Sequence, residues 1–313
     1  MNKDSKILIL GSGGLVGSSL VKVFKKNGFE NLLTPVRSEL NLLNQSEVDL
    51  YFKTNLPEII INAAAKVGGI HANKTYQADF IFENISIQNN LFKASFENKV
   101  DTFLFLGSSC IYPRECPQPI KEEYLLTGPL EPTNEPYAIA KISGLKTAEY
   151  FNKQYGLNYF SVMPTNLYGE NDNFHPENSH VIPGLISRMQ KAIDEGEVLF
   201  KAWGTGAPKR EFLYVDDLSE ACLFLLMRGK LDVDWINVGT GSDISIKELV
   251  ELIAEIMEYK GEIVFDTEQP DGTPRKVLNV EKMNSLGWSA KVGLREGLVR
   301  AVKYFRNAGN YRK

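Results

Sequence analysis

A glycine-rich turn set between two apolar patterns constrains this chain more than any other feature. Gly11-Ser12-Gly13-Gly14-Leu15-Val16-Gly17 follows Lys6–Leu10, an apolar run that reads as a strand. It opens Leu15–Lys26, where Leu15, Val16, Leu20, Val23 and Phe24 form a helical stripe. Glycines at such a turn let the backbone approach a pyrophosphate, and the helix behind offers unpaired N–H groups and the positive end of its dipole. A glycine cluster alone is as readily a plain turn. A strand before it and a helix after it make a dinucleotide site the better reading, with Gly11, Gly13, Gly14, Leu15, Val16 and Gly17 as candidate contacts.

The alternation continues. Leu32–Arg37 reads as a second strand, Glu58–Ala65 as a third, Phe80–Asn98 as a helix and Thr102–Leu106 as a fourth strand. Tyr137–Tyr155 reads as a long helix and Asn158–Pro164 as the next strand. Nearly all-apolar strands are expected where helices cover both faces of a parallel sheet. The expected fold class is therefore α/β, a Rossmann-type doubly wound parallel sheet with a smaller C-terminal α/β substrate lobe. After Gly169 the rhythm breaks: Asn171–Ser179 is a polar loop, Val181–Asp194 a helix and Trp203–Arg210 a Gly- and Lys-rich stretch. Asp217–Met227 resumes a helical stripe, Trp235–Val238 resembles a returning strand, and Ser245–Tyr259 is a further helix. We expect residues 1–169 to form the cofactor domain, with 214–238 crossing back to it. Residues 170–213 and 239–313 are expected to form the substrate lobe.

Composition narrows the function classes. A net charge of −4 with scattered basic residues argues against a nucleic-acid or anionic-membrane surface. The opening Met1–Lys6 leads into only four apolar residues, too few for a secretory h-region or a membrane span. Three cysteines, Cys110, Cys116 and Cys222, cannot all pair and show no C-x-x-C metal spacing. We expect a cytoplasmic protein with no bound metal and a thiol free for chemistry.

About 20 residues past the last glycine, NAD-binding folds usually place an acidic residue on the ribose 2′-hydroxyl. Here Arg37 stands after the second strand. A guanidinium suits a 2′-phosphate, so NADP(H) is the expected cofactor, the plainer alternative being a solvated surface arginine.

Tyr137-Ala-Ile-Ala-Lys141 puts a phenol and an ammonium on one helix face. A tyrosine of pKa near 10 exchanges protons poorly at neutral pH, and a neighbouring Lys⁺ with an oxidised nicotinamide is expected to lower it. Gly107-Ser108-Ser109-Cys110 ends the fourth strand, so Ser108 can hydrogen-bond the carbonyl oxygen that Tyr137 protonates. With the glycine turn, this set resembles the extended short-chain dehydrogenase/reductases.

Longer stretches sharpen that resemblance. Ala64–Ile70, Leu106–Pro113, Asn134–Lys141, Met163–Gly169, Asp172–Pro176 and Asn178–Pro183 are similar to the GDP-L-fucose synthase group of that family. So are Arg210–Leu213, Ile236–Gly241 and Pro270–Lys276. The resemblance implies epimerisation of GDP-4-keto-6-deoxy-D-mannose at C3 and C5, then NADPH-dependent reduction of C4. It implies Cys110 as base and His180 as acid, with Ser108, Tyr137 and Lys141 serving hydride transfer and Lys141 and His180 also touching the cofactor. The chemistry agrees: a C4 ketone acidifies C3 and C5, and a thiol and an imidazole exchange protons on either side of neutrality.

For the nucleotide, the resemblance implies Val181, Leu185, Arg188, Trp203, Arg210 and Lys276, a stacking ring with cations for two phosphates. His71 and His175 are expected to be structural or supporting, and Cys116 and Cys222 to have no role. Some relatives carry an arginine in the glycine turn where Gly13 stands, so use of NADH as well becomes more plausible. A homodimer paired through cofactor-domain helices is also implied. The alternatives are a colitose-type synthase acting on a 3-deoxy sugar, a 4-epimerase, a 4,6-dehydratase and an idle NADP-binding scaffold.

Overall fold

The computed structural model of the chain describes residues 1–176, 178–268 and 271–308, without the side chains of Ile70 and His71. The first half runs β1 (Ile7–Leu10), α1 (Leu15–Lys26), β2 (Leu32–Leu33), α2 (Gln45–Asn55), β3 (Ile59–Asn62), α3 (Ile70–Thr75), α4 (Gln77–Glu97), β4 (Thr102–Leu106), α5 (Glu135–Tyr155) and β5 (Asn158–Pro164). Next come β6 (Asn166–Tyr168), α6 (Val181–Asp194), β7 (Leu199–Trp203), β8 (Lys209–Arg210), β9 (Phe212–Tyr214), α7 (Val215–Arg228) and β10 (Trp235–Val238). The chain ends with β11 (Ile244–Ser245), α8 (Ile246–Met257), β12 (Glu262–Asp266), β13 (Arg275–Lys276), α9 (Glu281–Ser285) and α10 (Leu294–Ala308).

Six strands form one parallel sheet in the order β10-β5-β4-β3-β1-β2. Alternate residues of β1 explain its unbroken apolar run. Ile7 and Ile9 pack with Leu20, Val23 and Phe24 of α1 and Leu218 and Cys222 of α7. Leu8 and Leu10 pack on the other face with Phe92 of α4 and Ala148 of α5. Each fully buried aromatic there, such as Phe103 of β4, contributes about 1.5–3 kcal/mol.

Strand order reverses at β1: β2 lies on one side of it and β3 on the other. Such a switch point opens a crevice beyond the carboxyl ends of the strands. The glycine turn, the end of β3 and the end of β4 all reach that edge. β10 returns after the β7–β9 excursion to pair with β5.

A second core lies outside the sheet. Ile182, Leu185, Ile186 and Met189 of α6 meet Leu249, Val250 and Ile253 of α8, Leu298 and Val302 of α10, and Phe200 of β7. A capping box, Ser245 with Glu248, starts α8. Short strands tie this lobe together: β7 with β12, β8 with β11 and β13, and β6 with β9.

Two strands are shorter than their sequence suggests. β2 stops at Leu33 rather than Arg37, because Pro35 has no N–H to continue the ladder. β3 stops at Asn62 rather than Ala65, where the Asn62 carboxamide takes the Ala64 N–H at 3.1 Å. Within the stretch Trp203–Arg210, Trp203 closes β7 and Lys209–Arg210 is β8.

Candidate active site

The glycine turn carries its own fit test for a dinucleotide. Gly11 has φ +77°, and a Cβ there would lie 2.8 Å from the Ala63 backbone. A Cβ on Gly17 would lie 2.1 Å from the Gly11 carbonyl oxygen, so α1 packs on the turn only through a glycine. Gly14 caps α1 without a side-chain hydrogen bond, and no acidic residue occupies the first turn. The helix therefore presents open N–H groups and an uncompensated positive end at the switch point. Ser12 Oγ donates to the Thr34 carbonyl at 3.3 Å, fixing the turn beside the end of β2. Arg37 is exposed three residues further on. The nearest carboxylate in sequence, Glu39, accepts the Val36 N–H at 3.1 Å and closes that local turn. These residues fit a phosphorylated dinucleotide.

Beyond β4 the backbone enters a short 3-10 turn, Ser109–Ile111, capped by Ser108, whose Oγ accepts the Cys110 N–H at 3.3 Å. Cys110 is buried, and its thiol is pushed up by that burial. Lys276, the Ser108 hydroxyl and Lys141 pull it back, in that order. Lys141, only 5% exposed, is held down to about 8 by burial. Its ammonium donates to the Leu106 carbonyl at 2.7 Å and stands 5.7 Å from the centre of the Tyr137 ring.

Burial, and then the Cys110 sulfur, raise the Tyr137 phenol well above its usual value. Lys141 is not among the groups that act on the phenol here, its ammonium being turned to the Leu106 carbonyl. Tyr137 is thus held as a protonated phenol, the form that gives a proton to a ketone. Phe80 packs edge-on against it, with ring centres 6.3 Å apart.

His180 comes from the other lobe, at the start of α6, where its side chain makes no capping bond. The loop before it rests on the segment that follows β3: a Cβ on Gly69 would lie 2.9 Å from the Ser179 carbonyl oxygen. His175 Nδ1 accepts the Asn178 N–H at 3.2 Å and shapes that loop. Solvent still reaches His180 through the crevice, while the protein crowded around it lowers its imidazole pKa. The His71 side chain lies outside the described residues.

The nucleotide candidates divide. Arg188 lies over the Trp203 ring, its guanidinium carbon 4.8 Å from the ring centre, and its Nε has no hydrogen-bond partner. Trp203 is 55% exposed. Arg210 and Lys276 sit on neighbouring strands at paired positions of β8 and β13. Burial lowers the pKa of Arg188, Arg210 and Lys276 alike. Among the described residues, none of the three has a carboxylate in ion-pair contact. The Arg210–Lys276 pair suits a diphosphate. Val181 is exposed, but Leu185 belongs to the lobe core at 2% exposure and does not line the site.

Sequence reading missed the residues that lock this arrangement. Asn237, fully buried, accepts the Tyr112 hydroxyl at 2.6 Å and donates to the Ile120 carbonyl at 3.0 Å. Its N–H donates to Glu122 at 3.1 Å. Glu211, also fully buried, accepts backbone N–H groups from two distant loops. The one available signal was a carboxylate directly before the apolar run Phe212–Val215.

A glycine turn at the switch point, with a Tyr–Lys pair beside a strand-end serine, defines a nicotinamide-dependent oxidoreductase of the short-chain type. The chain belongs to the NAD dependent epimerase/dehydratase family, whose profile matches residues 7–239. It is 50% identical to GDP-L-fucose synthase 1 of Arabidopsis thaliana over 310 residues, 99% of this chain and 96% of that one. It is 47% identical to the GDP-L-fucose synthase of Escherichia coli K12 over 308 residues, 96% of each. Identity to the GDP-L-colitose synthase of Yersinia pseudotuberculosis is 40% over 306 residues, 97% of this chain and 99% of that one. The fold superposes with a TM-score of 0.91 on a GDP-L-fucose synthetase from Naegleria fowleri bound to NADP, at 28% identity, covering 100% of this chain and 96% of that one.

Proposed function

We propose that this protein converts GDP-4-keto-6-deoxy-D-mannose to GDP-L-fucose, by epimerisation at C3 and C5 and then NADPH-dependent reduction at C4. One observation carries the reading: a buried thiol, Cys110, shares its surroundings with the Tyr137–Lys141 pair, so a carbon base and a ketone reductase occupy one crevice. Identities of 50% and 47% to fucose synthases, against 40% to a colitose synthase, favour the substrate that keeps its 3-hydroxyl.

Cys110 takes the proton from C3, then from C5, and His180 returns one from the opposite face. The negative charge that develops on the C4 oxygen is stabilised by Ser108 and Tyr137 hydroxyls. After inversion the same phenol gives its proton to that oxygen, while NADPH, held at the glycine turn, would supply the hydride that C4 needs. Lys141, anchored on Leu106, orients the site and keeps positive charge beside it. Arg188, Arg210 and Lys276 hold the diphosphate and Trp203 the base.

Two further readings go with this one. Use of NADPH and three free cysteines suit a reducing cytoplasm; among the described residues no helix is long and apolar enough to cross a membrane. A homodimer would cover the exposed Phe82 and Phe96 of α4 and Ile139 and Tyr150 of α5; light scattering of wild type and Phe82→Glu tests it. The main experiment mixes protein, NADPH and the keto sugar, follows NADPH absorbance and identifies the product. GDP-L-fucose is expected. A C4-reduced sugar not inverted at C3 and C5 would overturn the epimerase assignment.

A further inference from the structure

Glu211 stands between two of the cations assigned above to the diphosphate, and it is the most heavily hydrogen-bonded side chain near them. It lies directly between β8, which ends at Arg210, and β9, which begins at Phe212. Its side chain is fully buried. Oε1 accepts the N–H of Thr240 at 2.6 Å and of Gly241 at 2.7 Å, and Oε2 accepts the N–H of Leu278 at 2.8 Å. The Glu211 N–H donates to the Lys276 carbonyl at 3.2 Å. Its carbonyl accepts the Asn166 amide at 2.8 Å and the Thr165 hydroxyl at 3.3 Å.

A carboxylate that accepts three backbone N–H groups is exploiting its charge, since only the ionised form offers two oxygens that accept and never donate. No ammonium or guanidinium lies within ion-pair distance of it among the described residues, although its charge is felt at the Lys276 ammonium. The cations on either side, Arg210 and Lys276, therefore remain available to a ligand. The space is tight: a Cβ on Gly239 would lie 2.2 Å from Glu211 Oε1. The carboxylate thus ties the exit of β10 to the exit of β13, and the backbone carbonyl of the same residue holds the segment after β5.

We infer that Glu211 is the positioning residue of the nucleotide site, holding Arg210 and Lys276 at the separation that a diphosphate bridges. This rests on the nucleotide-sugar reading of the site. The geometry makes the consequence asymmetric. A glutamine keeps one accepting oxygen but turns an NH₂ toward the other donors. It satisfies the Thr240–Gly241 pair with its oxygen and sets donor against donor at Leu278, releasing the strand that carries Lys276.

The test measures binding of GDP alone, and separately of NADPH, to the full chain by calorimetry. Wild type must bind GDP; failure there sinks the nucleotide-sugar reading itself, and with it this one. In Glu211→Gln the GDP dissociation constant is expected to rise about tenfold or more, the scale of one charge-assisted contact, with NADPH affinity unchanged. Amide exchange at Leu278 should quicken while Thr240 and Gly241 stay protected. In the Lys276→Met background the same substitution should weaken GDP binding by less than twofold, because its target is gone. Gly239→Ala, which crowds the carboxylate without removing it, gives a second route should the first variant not fold. Wild-type GDP affinity in a folded variant, equal loss of GDP and NADPH, or full additivity with Lys276→Met would each overturn the assignment.

Discussion

The Lys141 ammonium donates to the carbonyl of Leu106, the last residue of β4, at 2.7 Å. The strand that delivers Ser108 and Cys110 to the crevice is thereby bolted to the helix that delivers Tyr137. The same ammonium stands 5.7 Å from the centre of the Tyr137 ring.

Burial holds Lys141 at about 8 against an ordinary 10.5, so the folded protein binds fewer protons there than the unfolded chain between those values. Stability should therefore rise with pH across that window, and the full penalty for the buried charge, about 3 kcal/mol, is present below pH 8. Lys141→Met should abolish reduction yet raise the melting temperature by a few degrees at pH 7, less whatever the orphaned Leu106 carbonyl takes back. The gain should shrink by about 2 kcal/mol at pH 9.5. Thermal melts at the two pH values check this; a pH-independent difference would contradict it.

Cys110 is pulled down most by Lys276, which the diphosphate also claims. Cys110→Ser should stop the exchange of C3 and C5 hydrogens with deuterated solvent while NADPH still binds. Lys276→Met should move Cys110 alkylation by iodoacetamide to higher pH, and Lys276→Arg should restore it. Deuterium incorporation and alkylation rates are the readouts. Unchanged thiol reactivity in Lys276→Met would separate the lysine from the base.

Cofactor choice rests on Arg37 and on an open position. A Cβ built at Gly13 meets no heavy atom within 4 Å, and its φ lies outside the left-handed region. Gly13→Arg should therefore fold normally and shift preference further toward NADPH. Arg37→Met should raise KM for NADPH about 10- to 100-fold and leave KM for NADH nearly unchanged, since a hydrogen bond to a charged group is worth about 1.5–3 kcal/mol. Equal losses with both cofactors would mean that Arg37 does not meet the 2′-phosphate.

Much of this was legible in the sequence because long periodic segments declare themselves. β4, β5, β10 and α6 fall on their expected residues, and Gly11 to Gly17 make the expected strand–turn–helix. β8, β11 and β13 have two residues each, too few to show a period. The chemistry-bearing residues announced themselves by motif, but their support did not. Glu211 meets Leu278 across 67 positions, and Tyr112 meets Asn237 across 125. Tyr137 misled for a related reason: spacing places Lys141 on its helix face, while only the packed structure shows the ammonium turned to Leu106.

The acid–base pair yields the last prediction. An ordinary thiol and imidazole sit at 9.0 and 6.5, and burial drives them apart, Cys110 upward and His180 downward. Proton abstraction needs the thiolate, and proton return needs the imidazolium, so the working form is the minor one throughout the neutral range. Between the two pKa values each rise in pH makes thiolate as fast as it removes imidazolium, and the working fraction stays constant. Solvent exchange at C5, measured as kcat/KM, should therefore be flat through the whole interval between the ordinary imidazole and thiol values and fall only beyond it on either side. His180→Asn should remove the alkaline fall and leave a rate that climbs with thiolate, and Cys110→Ala should remove all exchange. A sharp optimum near neutrality would instead mean that substrate binding pulls the two groups back together, and a wider plateau that the diphosphate draws Lys276 away from the thiol.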